Sequence, residues 1–153
     1  MQKQPNSRMC FVCGIDNPIG LKVFFYEDDE GRVIAKFTPR EEHQGYPGFV
    51  HGGIIAALMD ETIGRVVTSY DIWAVTAKLE LKFRRPVPLG EQLTVIGELV
   101  RLRSRAFEAR GELRLADGAL AVEGYGLYVR LPDEEIERRK AALDFWEVVP
   151  DSE

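Results

Sequence analysis

The stretch from His51 to about residue 68 limits the possible folds of this chain more than any other part. It runs His51-Gly52-Gly53-Ile54-Ile55-Ala56-Ala57-Leu58-Met59-Asp60-Glu61, continues without proline, and is apolar almost all round. A helix of that kind has no face to offer water and must lie inside the protein. The chain has 153 residues, enough for one domain with its own core. An antiparallel sheet wrapped around the helix is the economical way to bury it, which gives an α+β architecture.

The flanking sequence supplies such a sheet. Residues 21–26 and 32–37 flank the acidic run Glu27-Asp28-Asp29-Glu30-Gly31 and read as a β-hairpin. Residues 38–50, with Pro39, Gly45, Pro47 and Gly48, form a long loop into the helix. After the helix, Trp73, Val75, Ala77, Leu79, Leu81 and Phe83 alternate with polar or small residues, the period of a half-buried strand. Pro86, Pro88 and Gly90 break the chain, and further strands are expected at about 91–101, 105–115 and 119–130. Asp117-Gly118 signals the last hairpin. Residues 1–9 read as a flexible polar arm, 10–131 as the domain, and 132–153 as a tail whose short charged helix opens at Asp133-Glu134-Glu135.

Composition narrows the function. A net charge of −5 argues against general nucleic-acid binding. No stretch approaches the roughly 20 apolar residues that span a bilayer. The first residues lack the apolar run of a secretory leader, and two cysteines make no disulfide framework, so a cytoplasmic protein is expected. Cys10-x-x-Cys13 invites metal or redox readings, but two thiols alone do not complete a zinc site. Ordinary packing thiols are the default there, and no metal or cofactor is expected.

The chemistry concentrates on the helix. Gly52 and Gly53 place backbone N–H groups at its N-terminus, where donors lack intrahelical partners and the macrodipole is positive. Such an end polarises a carbonyl oxygen. Asp60 stands two turns in, with Gly64 four residues on, whereas Glu61 has Arg65 there as a helix ion-pair partner. A carboxylate in an apolar helix is costly unless it is paired or used. Gly52 and Asp60 are eight residues apart, roughly 12 Å along one helix, too far to meet at one carbon. Two antiparallel copies of the helix across a two-fold axis bring the end of one to the Asp60 of the other, so a homodimer, or a tetramer of two such dimers, is expected.

These residues carry a resemblance. Cys10-Phe11-Val12-Cys13-Gly14, Asn17-Pro18-Ile19-Gly20-Leu21, His43-Gln44-Gly45-Tyr46-Pro47-Gly48, His51-Gly52-Gly53, Asp60 and Phe83-Arg84-Arg85-Pro86-Val87-Pro88-Leu89-Gly90 resemble the hotdog-fold acyl-CoA thioesterases, specifically the PaaI-like group. The resemblance implies the hotdog fold and hydrolysis of an acyl-CoA thioester. It also implies that the Gly52 N–H meets the thioester carbonyl, that Asp60 acts as general base or nucleophile, and that a strand hydroxyl, here Thr76, supports the attacking water. The family's Asn or Gln six residues before the His is replaced by Gly45, which leaves neighbouring Gln44 as the polar helper. His51 is expected to fix the loop-to-helix junction, with direct catalysis as the alternative. Gly53, Arg84 and Arg85 are expected to contact substrate, the arginines through phosphate. Arg101, Arg103 and Arg105 read as a solvated face neutralised by Glu98, Glu108 and Glu112. A protein that binds acyl-CoA without cleaving it would use the same pocket. A hydratase ranks below both, because no Asp–His pair follows His51.

Overall fold

The structure is a computed structural model that describes residues 1–152. Its strands are β1 (Gln2–Lys3), β2 (Asn6–Ser7), β3 (Phe25–Glu27), β4 (Val33–Phe37), β5 (Ala74–Phe83), β6 (Leu93–Leu102), β7 (Ala106–Arg114), β8 (Leu120–Arg130) and β9 (Trp146–Glu147). The helices are α1 (Gly52–Gly64) and α2 (Asp133–Ala142). Seven strands form one antiparallel sheet in the order β1-β3-β4-β6-β7-β8-β5, and β2 pairs with β9 separately. The buried helix is met as expected: α1 lies against β4, β5, β6, β7 and β8. Ile55, Leu58, Met59 and Ile63 of α1 are buried with Val33, Val95, Phe107, Leu113 and Val122 of the sheet.

Glycines set how closely helix and sheet approach. A Cβ on Gly97 would lie 2.8 Å from the Thr62 carbonyl oxygen, and one on Gly111 would lie 2.7 Å from the Ile63 side chain. Gly97→Ala therefore pushes α1 off β6. Overpacking of this kind costs about 1–3 kcal/mol, which a urea titration will show as a lower midpoint at unchanged slope.

Three departures from the sequence reading matter for the site. First, α1 ends at Gly64 and tightens into a 3₁₀ turn over Arg65–Tyr70, closed by Asp71 in a left-handed conformation (φ 53°). Second, residues 1–9, read as a polar arm, are packed: β1 pairs with β3, β2 pairs with β9, and Asn6 is fully buried. Asn6 earns that place by donating from Nδ2 to the Cys13 and Val23 carbonyls at 2.8 and 3.0 Å. Third, β5 does not alternate strictly. Its register against β8 shifts between Thr76 and Lys78, so a bulge at Ala77 changes the strand's parity. Ala74 packs against the core before the bulge and Leu79 and Leu81 after it, while Val75 is 45% exposed.

Candidate active site

The loop before α1 is tied down by its backbone. The His51 N–H donates to the His43 carbonyl at 2.8 Å, and the Val50 N–H donates to that of Val87 at 2.8 Å. His43 is buried, tilted against Phe37, and takes the Arg40 N–H on Nδ1 at 2.9 Å. Burial and the nearby Arg40 charge hold its imidazole below the usual range. These contacts make His43 a scaffold residue.

His51 caps α1. Its Nδ1 accepts the Gly53 N–H at 2.8 Å, and its carbonyl receives the N–H groups of Ile54 and Ile55. The Gly53 N–H, expected to contact substrate, is thus taken by the cap. Among the described residues, the Gly52 N–H has no acceptor. It lies at the first turn of the helix, exposed, on the wall of a cavity of about 750 Å³. Tyr46, Phe49, Phe83, Arg84 and Arg85 also line that cavity. Arg84 is tied to Glu123 by its Nε at 2.6 Å, whereas Arg85 has no carboxylate partner among the described residues. Gln44 turns back on its own loop, its Oε1 taking the Gly48 N–H at 3.4 Å.

Asp60 is half-buried on a second cavity of about 440 Å³, lined also by Glu61, Arg65, Trp73, Thr76, Tyr128 and Trp146. The β5 bulge brings Thr76 to α1, and its Oγ1 donates to Asp60 Oδ1 at 2.9 Å. The Tyr128 hydroxyl donates to the same oxygen at 3.0 Å. Oδ2 has no partner among the described residues. Tyr128 is buried on β8 and stacks on Phe107 at 4.8 Å, and burial with the Asp60 charge pushes its phenol upward, so it stays a donor. A Cβ on Gly126 would lie 2.4 Å from the Tyr128 ring, so that glycine makes room for it. Sequence reasoning missed Tyr128; the available signal was a tyrosine two residues past a glycine in a strand facing the helix.

Glu61 takes the expected partner. Arg65 Nε donates to its Oε1 at 2.9 Å, and the guanidinium carbon lies 4.3 Å from the Phe25 ring centroid and 5.3 Å from that of Trp146. Of the arginine stripe, Arg101 meets one of the expected acids, its Nε 3.9 Å from Glu108, whereas Arg103 and Arg105 have no carboxylate partner among the described residues and Glu98 is taken by Arg110. The Gly52 N–H, without an acceptor among the described residues, and the Asp60 carboxylate line separate cavities of the chain.

Similarities to known proteins agree with this architecture. Residues 47–122, from the loop before α1 to β8, match the sequence model of the Thioesterase superfamily. The acyl-coenzyme A thioesterase THEM4 of Mus musculus is 29% identical over 136 residues, covering 88% of this chain and 59% of that protein. The Bos taurus THEM4 is 31% identical over 127 residues, covering 82% of this chain and 52% of that protein. The chain therefore spans only half to three fifths of the length of these relatives. Among solved structures, the thioesterase superfamily protein RHA08564 is 34% identical with a TM-score of 0.75, covering 80% of this chain and 63% of that one. The PaaI protein of E. coli, 20% identical with a TM-score of 0.68 and coverages of 73% and 81%, shares the fold. By fold and by sequence, this chain belongs to the thioesterase superfamily, as a member with the hotdog fold.

Proposed function

We propose that the protein hydrolyses acyl-CoA thioesters to a carboxylic acid and coenzyme A. The observation that carries this reading is the Asp60 carboxylate, held on one oxygen by Thr76 and Tyr128 and open on the other. The names of the THEM4 relatives support it, as does a fold neighbour from Streptococcus mutans solved with acetyl-CoA.

In this mechanism the substrate carbonyl oxygen sits against the Gly52 N–H, where the helix dipole stabilises the charge that develops on it. Asp60 Oδ2 takes a proton from a water as the water's oxygen bonds to the carbonyl carbon. The C–S bond then breaks, and the leaving thiolate recovers the proton as coenzyme A. The two helix-borne groups belong to facing protomers of a dimer, with the carbonyl held by one and the water by the other. Strand β5 supports that assembly: it is the sheet's ten-residue edge, and such an edge is a template for a second chain. Arg85, which lines the cavity beside Gly52 and has no carboxylate partner among the described residues, binds a CoA phosphate in this reading.

Tyr128 acts on Asp60 as a positioning residue. Tyr128→Phe keeps the stacked ring and removes one hydrogen bond to a charged group, a loss of about 1.5–3 kcal/mol. The expected result is a kcat lower by about tenfold or more at unchanged KM. An unchanged kcat would remove Tyr128 from the mechanism.

The test of the function is thiol release from a panel of short, medium and aryl acyl-CoA substrates. Turnover on part of the panel supports hydrolysis. Tight coenzyme A binding with no turnover on any substrate would instead make this a non-catalytic acyl-CoA binder.

A further inference from the structure

We propose that Cys10, Cys13 and Glu61 form a Zn²⁺ site that ties the amino-terminal segment to α1 beside Asp60. The two thiol sulfurs and a carboxylate oxygen of Glu61 lie within 4.8 Å of one another. A tetrahedral zinc, with Zn–S of about 2.3 Å and Zn–O of about 2.0–2.2 Å, holds its donors roughly 3.5–3.8 Å apart. Side-chain adjustments of about 1 Å close the cluster onto a metal. The ligand that two thiols lack comes from the helix, far along the chain.

The loop is shaped for the task. Cys13 N–H points at Cys10 Sγ at 3.5 Å, as backbone donors do around a metal-bound thiolate, and Gly14 N–H closes the turn onto the Cys10 carbonyl at 2.7 Å. A Cβ on Gly14 would lie 2.4 Å from that carbonyl oxygen, so only glycine completes this turn. Asn6 holds the Cys13 carbonyl from behind. Ser7 Oγ, 3.5 Å from Cys13 Sγ, or a water can take the fourth position.

Charge and the surrounding shell also fit. Two thiolates and a carboxylate carry three negative charges, which Zn²⁺ and Arg65 together neutralise. Arg65 binds Oε1 of Glu61, the kind of partner that orients a ligating carboxylate. Its side chain is 5% exposed, and its Nη2 has no hydrogen-bond partner among the described residues. Thiolate donors favour zinc over the hard cations. Cys13 is buried and Cys10 half-buried, which leaves an entry path from the Cys10 side. This proposal stands apart from the thioesterase reading, since it concerns how the protein is held together.

The experiment is titration of the fully reduced, metal-free chain with Co²⁺ and then Zn²⁺. The expected result is one Co²⁺ per chain with a sulfur-to-cobalt charge-transfer band, displaced by Zn²⁺, and a higher thermal midpoint with zinc than with chelator. Cys13→Ser should abolish stoichiometric uptake, and Glu61→Gln should keep the band but weaken affinity by about tenfold or more. Absence of the band in the reduced wild-type chain overturns the proposal. So does zinc uptake that the Cys10→Ser, Cys13→Ser double variant leaves unchanged.

Discussion

Asp60→Asn should lower kcat/KM by about 10²–10⁴, the range for losing a positioned general base, while leaving the fold intact. The amide is nearly isosteric with the carboxylate, and its carbonyl oxygen still accepts the hydroxyls of Thr76 and Tyr128. The loss therefore falls on the open side of the side chain, where an amide takes no proton from water. Steady-state kinetics beside a thermal melt separate the two effects. Near wild-type turnover in a folded Asp60→Asn protein would mean that the carboxylate is not the base.

Gly52→Pro should lower kcat by about 10²–10³, the cost of one oxyanion donor. Gly52 is the first residue of α1, a position where proline is well tolerated because its N–H has no intrahelical partner. The preceding His51 is already extended (φ −61°, ψ 134°), as a residue before proline must be. A side chain also has room, since a Cβ at Gly52 meets only the Phe83 ring, at 4.0 Å. Gly52→Ala is therefore the control: it retains the N–H and should stay close to wild type. Equal losses in both variants would point to steric blockage of the cavity and not to a lost hydrogen bond.

Much of the architecture was legible because one constraint dominates it. The apolar α1 had to be enclosed, and the period-two runs around it supplied strands near the expected bounds. The parity of β5 was not legible. Val75, Ala77 and Leu79 alternate evenly on paper, and only the pairing with β8 reveals the bulge that turns Thr76 toward Asp60. Tyr128 escaped because its role depends on β8 crossing α1, a contact between residues 68 apart. Glu61 was correctly paired with Arg65, but that local explanation hid its approach to Cys10 and Cys13. Local spacing shows an ion pair four residues apart; it does not show a loop arriving from the amino terminus.

The central claim is that each site is shared between protomers, and mixed dimers test it most directly. Asp60→Asn and Gly52→Pro chains, each nearly inactive alone, are co-expressed with different tags and the doubly tagged dimer is purified. If the Gly52 of one protomer works with the Asp60 of its partner, the mixed dimer carries one intact site and one doubly broken site. Across a two-fold interface it should recover about half of wild-type turnover per dimer. If both groups serve a site within one protomer, every site in the mixed dimer stays broken, and activity no greater than that of the single variants would contradict the account.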